Sequence, residues 1–479
     1  MKSHILGQSY VARSVNAADD VMINLFPEAT PDEGKENGFL NRTPGMRKLA
    51  TIGNGPIRAL WAHQTNGADA YVVSGNEVFK IDASYQASKL GNVTGSGPVS
   101  IADNGTQLFF ACNPDGFIYD EVANTFVQIT DPDFPGAVTV GYLDGYFVFN
   151  EPDSQKLWVT EIFNGSIIEP LAFASAEGSP DLVQAINVDQ RELWVFGTDT
   201  IEVWYNAGTA NFPFARIQGA FNELGCLAPY SVAKLDNTLF WLGNDPRGYG
   251  IVYRGEGYRG KRVSTHAIEY AIQSYGDVSN ALAYTYQQEG HAFYVLIFPT
   301  VNKTWVFDVA TGAWHERAGF ENGFFTRHRS NCQMNFASQT IVGDYLNGNI
   351  YAFDLNVYDD NGAVQKWVRS WRALPTGANN LKRTAQHSLQ LDCESGVGTD
   401  TGQAEDPQVM LRWSDDGGHT WSNEHWVSVG KIGAYYQRAI WRRLGMTIKL
   451  RDRVYEVSGT DPNKMVIMGA ELILNGTNA

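Results

Sequence analysis

Two adjacent carboxylates on a turn are the first residues in this chain that could do chemistry. Ser414-Asp415-Asp416-Gly417-Gly418-His419-Thr420-Trp421 sets them beside an imidazole and an indole, and paired carboxylates are what glycoside hydrolysis requires. The spacing, however, is Ser-x-Asp-x-Gly-x-x-Trp, in which every position has a use in a tight hairpin. The aspartate accepts backbone N–H bonds across the turn, the glycine supplies positive φ, and the indole folds back over an apolar face. Ser414, Asp416, Gly418 and Trp421 are therefore expected to form a structural turn rather than an active site.

Other chemistry-bearing patterns weaken in the same way. Gly255-Glu256-Gly257-Tyr258-Arg259-Gly260 fits a dinucleotide-binding G-x-G-x-x-G, but no crossover helix opens on its third glycine, so a loop at a sheet edge is expected instead. The nine histidines are dispersed without HxH or HExxH spacing, so no metal site is expected. No catalytic residue and no cofactor is assigned.

Two basic clusters remain. Arg254, Arg259, Lys261 and Arg262 form a spot that would touch DNA or an acidic partner, or simply sit solvated on a loop. The denser cluster is Arg438, Trp441, Arg442, Arg443, Arg451 and Arg453. Three readings of it stay open: internal pairing with Asp452, Glu456 and Asp461, phosphate contact, or a protein interface anchored by Trp441.

The elements that must position these residues are strands. With 48 glycines and 13% aromatic residues in 479, the composition fits an all-β chain with many turns. From about Ile57 a unit repeats: an alternating strand, a turn, an aromatic strand, then a short third strand often ending in aspartate. That third strand occurs as Glu77–Asp82, Phe117–Asp120, Leu157–Val159, Ile201–Trp204, Ile251–Tyr253, Thr304–Asp308 and Ile350–Asp354. A spacing of roughly 40 to 54 residues is that of a four-stranded propeller blade. Seven blades are expected, with six as the alternative. Tyr142-Leu143-Asp144-Gly145-Tyr146 reads as one of their hairpins, and Ser264 to Ser274 as the best helix, capped by Ser264 or Thr265.

Residues 1–50 read as an extended arm, 51–365 as the propeller, and 366–479 as an antiparallel β-sandwich. Charge divides similarly: of the formal −16, residues 1–365 carry about −18 and the remainder about +2. Such acidity argues against a non-specific nucleic-acid coat; an acidic propeller facing a DNA path would repel phosphates. Four cysteines without pairing pattern fit a reducing cytosol, and no apolar run is long enough to span a membrane.

The C-terminal run from Leu411 to Leu474, together with Ile23-Asn24-Leu25-Phe26-Pro27, Phe39 to Gly45 and Val263 to Glu269, resembles the packaged-DNA stabilisation proteins, or tail hubs, of short-tailed bacteriophages. The resemblance implies a structural protein of the virion tail, made and assembled in the host cytoplasm. It would form a homohexamer below the portal and adaptor ring, close the channel on packaged DNA, and dock a tail needle or plug and tailspikes or fibres. DNA would pass or be blocked without sequence-specific binding. Two other readings remain: a sialidase-like propeller glycosidase, since the Ser-x-Asp turn also occurs there, and a non-catalytic propeller scaffold for other assemblies.

Overall fold

The computed structural model describes residues 1–15, 17–30, 36–63, 68–176, 178–374, 383–447 and 453–476. Seven antiparallel units follow one another from Ile57 to Asp354, so the ring has seven blades. Their first strands, Ile57–Ala62, Ser100–Asp103, Val140–Leu143, Val183–Asp189, Ala233–Leu235, Leu282–Gln288 and Ser330–Phe336, stand side by side around the axis. The recurring third strands fall where the repeat places them, from Glu77–Asp82 to Asn349–Asp354.

A strand sends alternate side chains to opposite faces, and a blade buries both. In the strand Gln107–Cys112, Leu108 and Phe110 pack with Tyr71 and Val73 of the first blade. Phe109 and Ala111 pack with Phe147 and Phe149 of the third. Seven such clusters, one at each blade junction, complete the circle. This two-sided burial is why the strands read as aromatic, nearly unbroken apolar runs. Leu143 and Tyr146 face each other across Asp144 and Gly145, whose φ of 49° and 98° make the primed turn that suits twisted strands. The helix runs His266–Gln273; the Thr265 hydroxyl accepts from the Ile268 N–H, and Ile268 and Ile272 pack into the junction of blades five and six.

The ring closes through the N-terminus. Gly45–Thr51 is the fourth strand of blade seven, antiparallel to Asn349–Asp354. This strand crosses the point at which the sequence places the end of the arm. Upstream, Leu25–Ala29 and Gly38–Arg42 form a hairpin that joins one sheet of the C-terminal sandwich through Val466–Gly476. The same sheet holds Thr384–Cys393 and, at its edge, Ala439–Arg442. The second sheet orders Trp367–Arg372, Val454–Gly459, Gln408–Ser414 and His425–Ser428. Trp367, Trp371, Leu411, Trp441 and Tyr455 fill the space between the two.

Propeller and sandwich share hydrogen bonds as well as sequence. The short strand Met22–Ile23 pairs parallel with the outer strand of blade six at Glu316 and antiparallel with Trp367–Arg372, making one nine-stranded sheet. Asn24, fully buried at φ 54°, secures this seam. Its amide nitrogen donates to the carbonyls of Ala318 and Lys366, both at 2.8 Å, and its side-chain oxygen accepts from Ala318 N–H at 2.9 Å. Arg42, also buried, donates to the carbonyls of Tyr358, Gln365, Asp461 and Asn463 at 2.7–2.9 Å, joining the end of the propeller, the junction and the sandwich. Burial pulls its pKa down to about 10, which leaves it charged at neutral pH.

Near the seam, His315 and His328 are buried, and no partner among the described residues reaches either ring nitrogen of His315. Burial disfavours their charged forms, lowering His315 to about 3 and His328 well below its ordinary value.

Two outcomes follow from these buried groups. Arg42→Met removes the donors of four carbonyls, three of them in buried bonds, and should cost roughly 3–5 kcal/mol in urea unfolding. The neutral histidines are favoured when folded, so between about pH 6.5 and pH 3 the unfolded chain binds more protons and stability is lost as pH falls. Asp360, raised by burial to about 6, has the opposite sign over pH 4–6. The difference between the wild-type and His315→Leu unfolding curves across pH 4–8 therefore isolates the histidine, and the variant should lose less stability on acidification.

Candidate functional site

A propeller presents chemistry at its axis, and this axis encloses a cavity of about 830 Å³ lined by residues from all seven blades. Its charged lining side chains are Arg58, Asp103 and Lys234, so it is not acidic. Each has a partner. Arg58 donates to the carbonyls of Gly97, Gly75 and Thr94 at 2.6–3.0 Å. Asp103 accepts from Trp61 Nε1 at 2.8 Å and lies 3.3 Å from His63, and Lys234 pairs with Asp189 at 2.7 Å. A sialidase would need three convergent arginines and an activated tyrosine. Here one arginine faces the cavity, and burial pushes the Tyr230 hydroxyl up to about 12, away from nucleophilic behaviour. Among the described residues no group of three or more His, Cys, Asp or Glu is placed to hold a metal.

The Ser414 turn is a hydrogen-bonded hairpin. Ser414 Oγ donates to Asp416 Oδ1 at 2.6 Å and accepts from Gly418 N–H at 2.8 Å; Asp416 in turn accepts from the backbone and hydroxyl of Thr420 at 2.8 and 2.6 Å. These donors hold the Asp416 carboxylate ionised, well below its usual range. Gly418 has φ 98°, and Trp421 donates its indole N–H to the Gly418 carbonyl while Arg412 stacks on its ring at 4.7 Å.

The blade-five basic spot lies on the two outer strands of that blade, Gly248–Glu256 and Arg259–Arg262, which form a plain hairpin turning at Gly257. Three of its four cations are matched nearby: Arg254 with Asp236 at 2.6 Å, Lys261 with Glu256 at 3.2 Å, and Arg262 with Glu269. Arg259 is exposed and has no ion pair among the described residues.

The C-terminal cluster divides. Trp441 lies in the sandwich core, 5% exposed, and donates its indole N–H to the His425 carbonyl at 2.8 Å. Arg453 is buried, grips Asp415 through two bonds of 2.7 and 2.9 Å, and donates to the Leu444 carbonyl. Neither is offered to a partner: strand alternation turns the Trp441 indole inward, and Asp415, supplied by the hairpin, neutralises Arg453 inside. Glu456, expected beside this cluster, is held instead by Arg412 at 2.6 and 2.9 Å. Arg438, Arg442 and Arg443 are exposed. Arg451 and Asp452 lie outside the described residues.

What the sequence reading missed is the company those arginines keep. Ala439–Arg442 and His425–Ser428 are the terminal strands of the two sandwich sheets, side by side. On and between them Trp426, Ile432, Tyr435 and Tyr436 are 59%, 60%, 71% and 98% exposed. Tyrosine, tryptophan and arginine are the residues that carry binding energy at interfaces. Among the described residues this sheet edge combines all three.

The fold defines a class: a seven-bladed propeller locked by its own N-terminus and fused by a shared sheet to a β-sandwich. Two family profiles match this chain, one described as "Bacteriophage P22 Gp10, beta-propeller" over residues 4–358 and one as "Bacteriophage P22 Gp10, beta-sandwich" over residues 366–474. The chain belongs to the bacteriophage P22 Gp10 family and is a phage structural protein of the packaged-DNA stabilisation type. No curated protein sequence matches it significantly. Solved structures to which the chain shows similarity include virginiamycin B lyase from Staphylococcus aureus (8% identity, TM-score 0.44, covering 64% of this chain and 98% of that one). YCF48 from Cyanidioschyzon merolae has 10% identity and a TM-score of 0.41, covering 65% of this chain and 98% of that one.

The split within the arginine cluster is measurable. Arg453→Met should lower the unfolding free energy by about 2–3 kcal/mol because it strips a half-buried carboxylate and the Leu444 carbonyl of their donors, and Trp441→Ala by about 3–5 kcal/mol. Arg442→Ala and Arg443→Ala should each stay within about 0.5 kcal/mol.

Proposed function

We propose that this chain is a tail hub. Several copies, six by the family resemblance, assemble below the portal and adaptor ring, hold packaged DNA in the head, and present a platform for a tail needle or plug and for tailspikes or fibres. The observation that carries this reading is that both halves of one continuous chain fall within a single phage DNA-stabilisation family. Within it the three segments have distinct jobs: residues 1–50 tie the molecule together, 51–365 form a stiff ring, and 366–479 form the docking module.

The physical construction supports a load-bearing role without catalysis. The charged groups lining the axial cavity already have partners, and the shared nine-stranded sheet resists hinge motion between the two domains. A cavity of about 830 Å³ has the size of a small-ligand pocket, far below what a DNA duplex needs. The DNA path therefore lies between copies rather than through any one propeller, and retention is steric rather than sequence-specific. Assembly occurs in the host cytoplasm before release. That setting agrees with four free cysteines, Cys112, Cys226, Cys332 and Cys393.

The test is a phage deprived of this chain. Its heads should fill and then lose their DNA to added nuclease, and purified protein supplied afterwards should restore protection. Heads that keep their DNA equally well without the chain would overturn the reading.

A further inference from the structure

Charge on this molecule is concentrated far more than its total suggests. Between residues 90 and 190 there are fourteen Asp and Glu and a single basic residue, Lys156, giving −13 of the formal −16. That interval builds blades two and three and the first strand of blade four. Some of its carboxylates are matched, as Asp144 is by Arg191 at 2.7 Å. Asp133, Asp153, Glu161 and Glu169 are exposed and have no ion pair among the described residues.

The same sector carries an apolar projection. In the loop after Lys156–Val159, Ile162, Phe163, Ile167 and Leu171 are 49%, 65%, 41% and 65% exposed. The loop is pinned across both blades: Phe163 N–H donates to the Gly145 carbonyl at 2.7 Å, Gly165 N–H to Gln107 at 2.9 Å, and Ile168 N–H to Asp131 at 3.2 Å. Phe163 is held at φ 60°, a left-handed conformation that a bulky residue adopts only under constraint. Apolar side chains fixed outward on a tied loop lose little entropy when covered.

The chemical complement of this sector is the sandwich edge, with Trp426, Ile432, Tyr435 and Tyr436 exposed beside Arg438, Arg442 and Arg443. These three arginines have no ion pair among the described residues. Within one chain the two surfaces lie at opposite poles. The nine-stranded sheet begins at the axis with Leu282–Gln288 of blade six and ends at His425–Ser428, eight steps of about 4.8 Å, roughly 38 Å, away. In a seven-membered ring the positions across the axis from blade six are blades two and three.

We propose that the basic aromatic edge of the sandwich docks head to tail on the acidic apolar sector of blades two and three of the next copy of this chain. The two patches differ, so the contact is heterologous and propagates into a ring if the rotation closes. Opposite charge selects the register, and the aromatic and aliphatic side chains supply the buried centre. This inference rests on the tail-hub reading and specifies how its copies meet.

Charge exchange tests it. One full-length variant carries Arg438→Glu, Arg442→Glu and Arg443→Glu; a second carries Asp133→Lys, Glu161→Lys and Glu169→Lys; a third carries all six. Each is the only source of the chain during infection, and incorporation into particles is measured. Like charges facing each other cost several kcal/mol, so each triple variant should fall at least about tenfold, while the six-fold variant recovers to near wild type. A six-fold variant no better than the triples, or triples incorporated normally, overturns the proposal. Independently of charge, a chain with Tyr436→Cys and Leu171→Cys should be joined into multimers by a short thiol crosslinker in assembled tails, with the wild type, which keeps its four native cysteines, and each variant carrying one of the two added cysteines as controls. Uncrosslinked chains there also overturn it. Nuclease sensitivity of the same particles separates the two readings. Leaking heads with a failed exchange sink only this contact, whereas heads that stay sealed without the chain sink the hub.

Discussion

Two residues of backbone pairing hold this molecule to its shape. Met22 and Ile23 lie between the outer strand of blade six and the first strand of the sandwich, and Asn24 satisfies backbone groups on both sides of that joint. Without them the blade-six sheet would end in an open edge, and the sandwich would be joined to the ring by two short crossings of the chain, after Arg42 and before Trp367, and by the bonds of Arg42. With them the sandwich is held to the ring through a continuous sheet.

The polar groups buried beside the seam add specificity. Arg42 donates to carbonyls from three distant stretches of chain, Arg369 to the Ile5 carbonyl at 2.6 Å, and Arg317 to the Pro44 carbonyl at 2.8 Å. A guanidinium has several donors in a rigid fork, so each of these arginines can fasten a segment that has no regular structure of its own. Apolar contact alone would leave the stretches around Ile5 and Pro44 several near-equivalent placements. Carbonyls that must meet a buried cation leave one.

The ring was legible in the sequence because its physics is periodic. Every blade repeats the same alternation, and its third strand, as in Thr304-Trp305-Val306-Phe307-Asp308, is marked each time by aromatic and β-branched residues. The seam was not, since a strand of two residues has no period and its partners are some 290 and 345 positions away. The arginine-rich stretch was legible only as a composition. Whether Arg453 faces a partner or the interior is decided by Asp415, brought to it by a hairpin 38 residues upstream. An interface anchored by Trp441 is one of three readings the sequence leaves open, and the indole is packing, while the exposed Trp426 and Tyr436 nearby carry no spacing signal. The blade-five cations likewise resemble a binding spot until Asp236 and Glu269 are seen against them.

Closure by the N-terminal strand also sets a timetable. Gly45–Thr51 leaves the ribosome about 300 residues before Asn349–Asp354, the strand it must pair with. At synthesis rates of roughly 5–20 residues per second the early strand waits about 15–60 s with an unsatisfied edge. An idle edge of that kind invites pairing with a neighbouring nascent chain. Arg47 and Lys48, adjacent and exposed in the middle of that strand, put two like charges where a second copy would have to lie, so each chain is biased toward waiting for its own last blade.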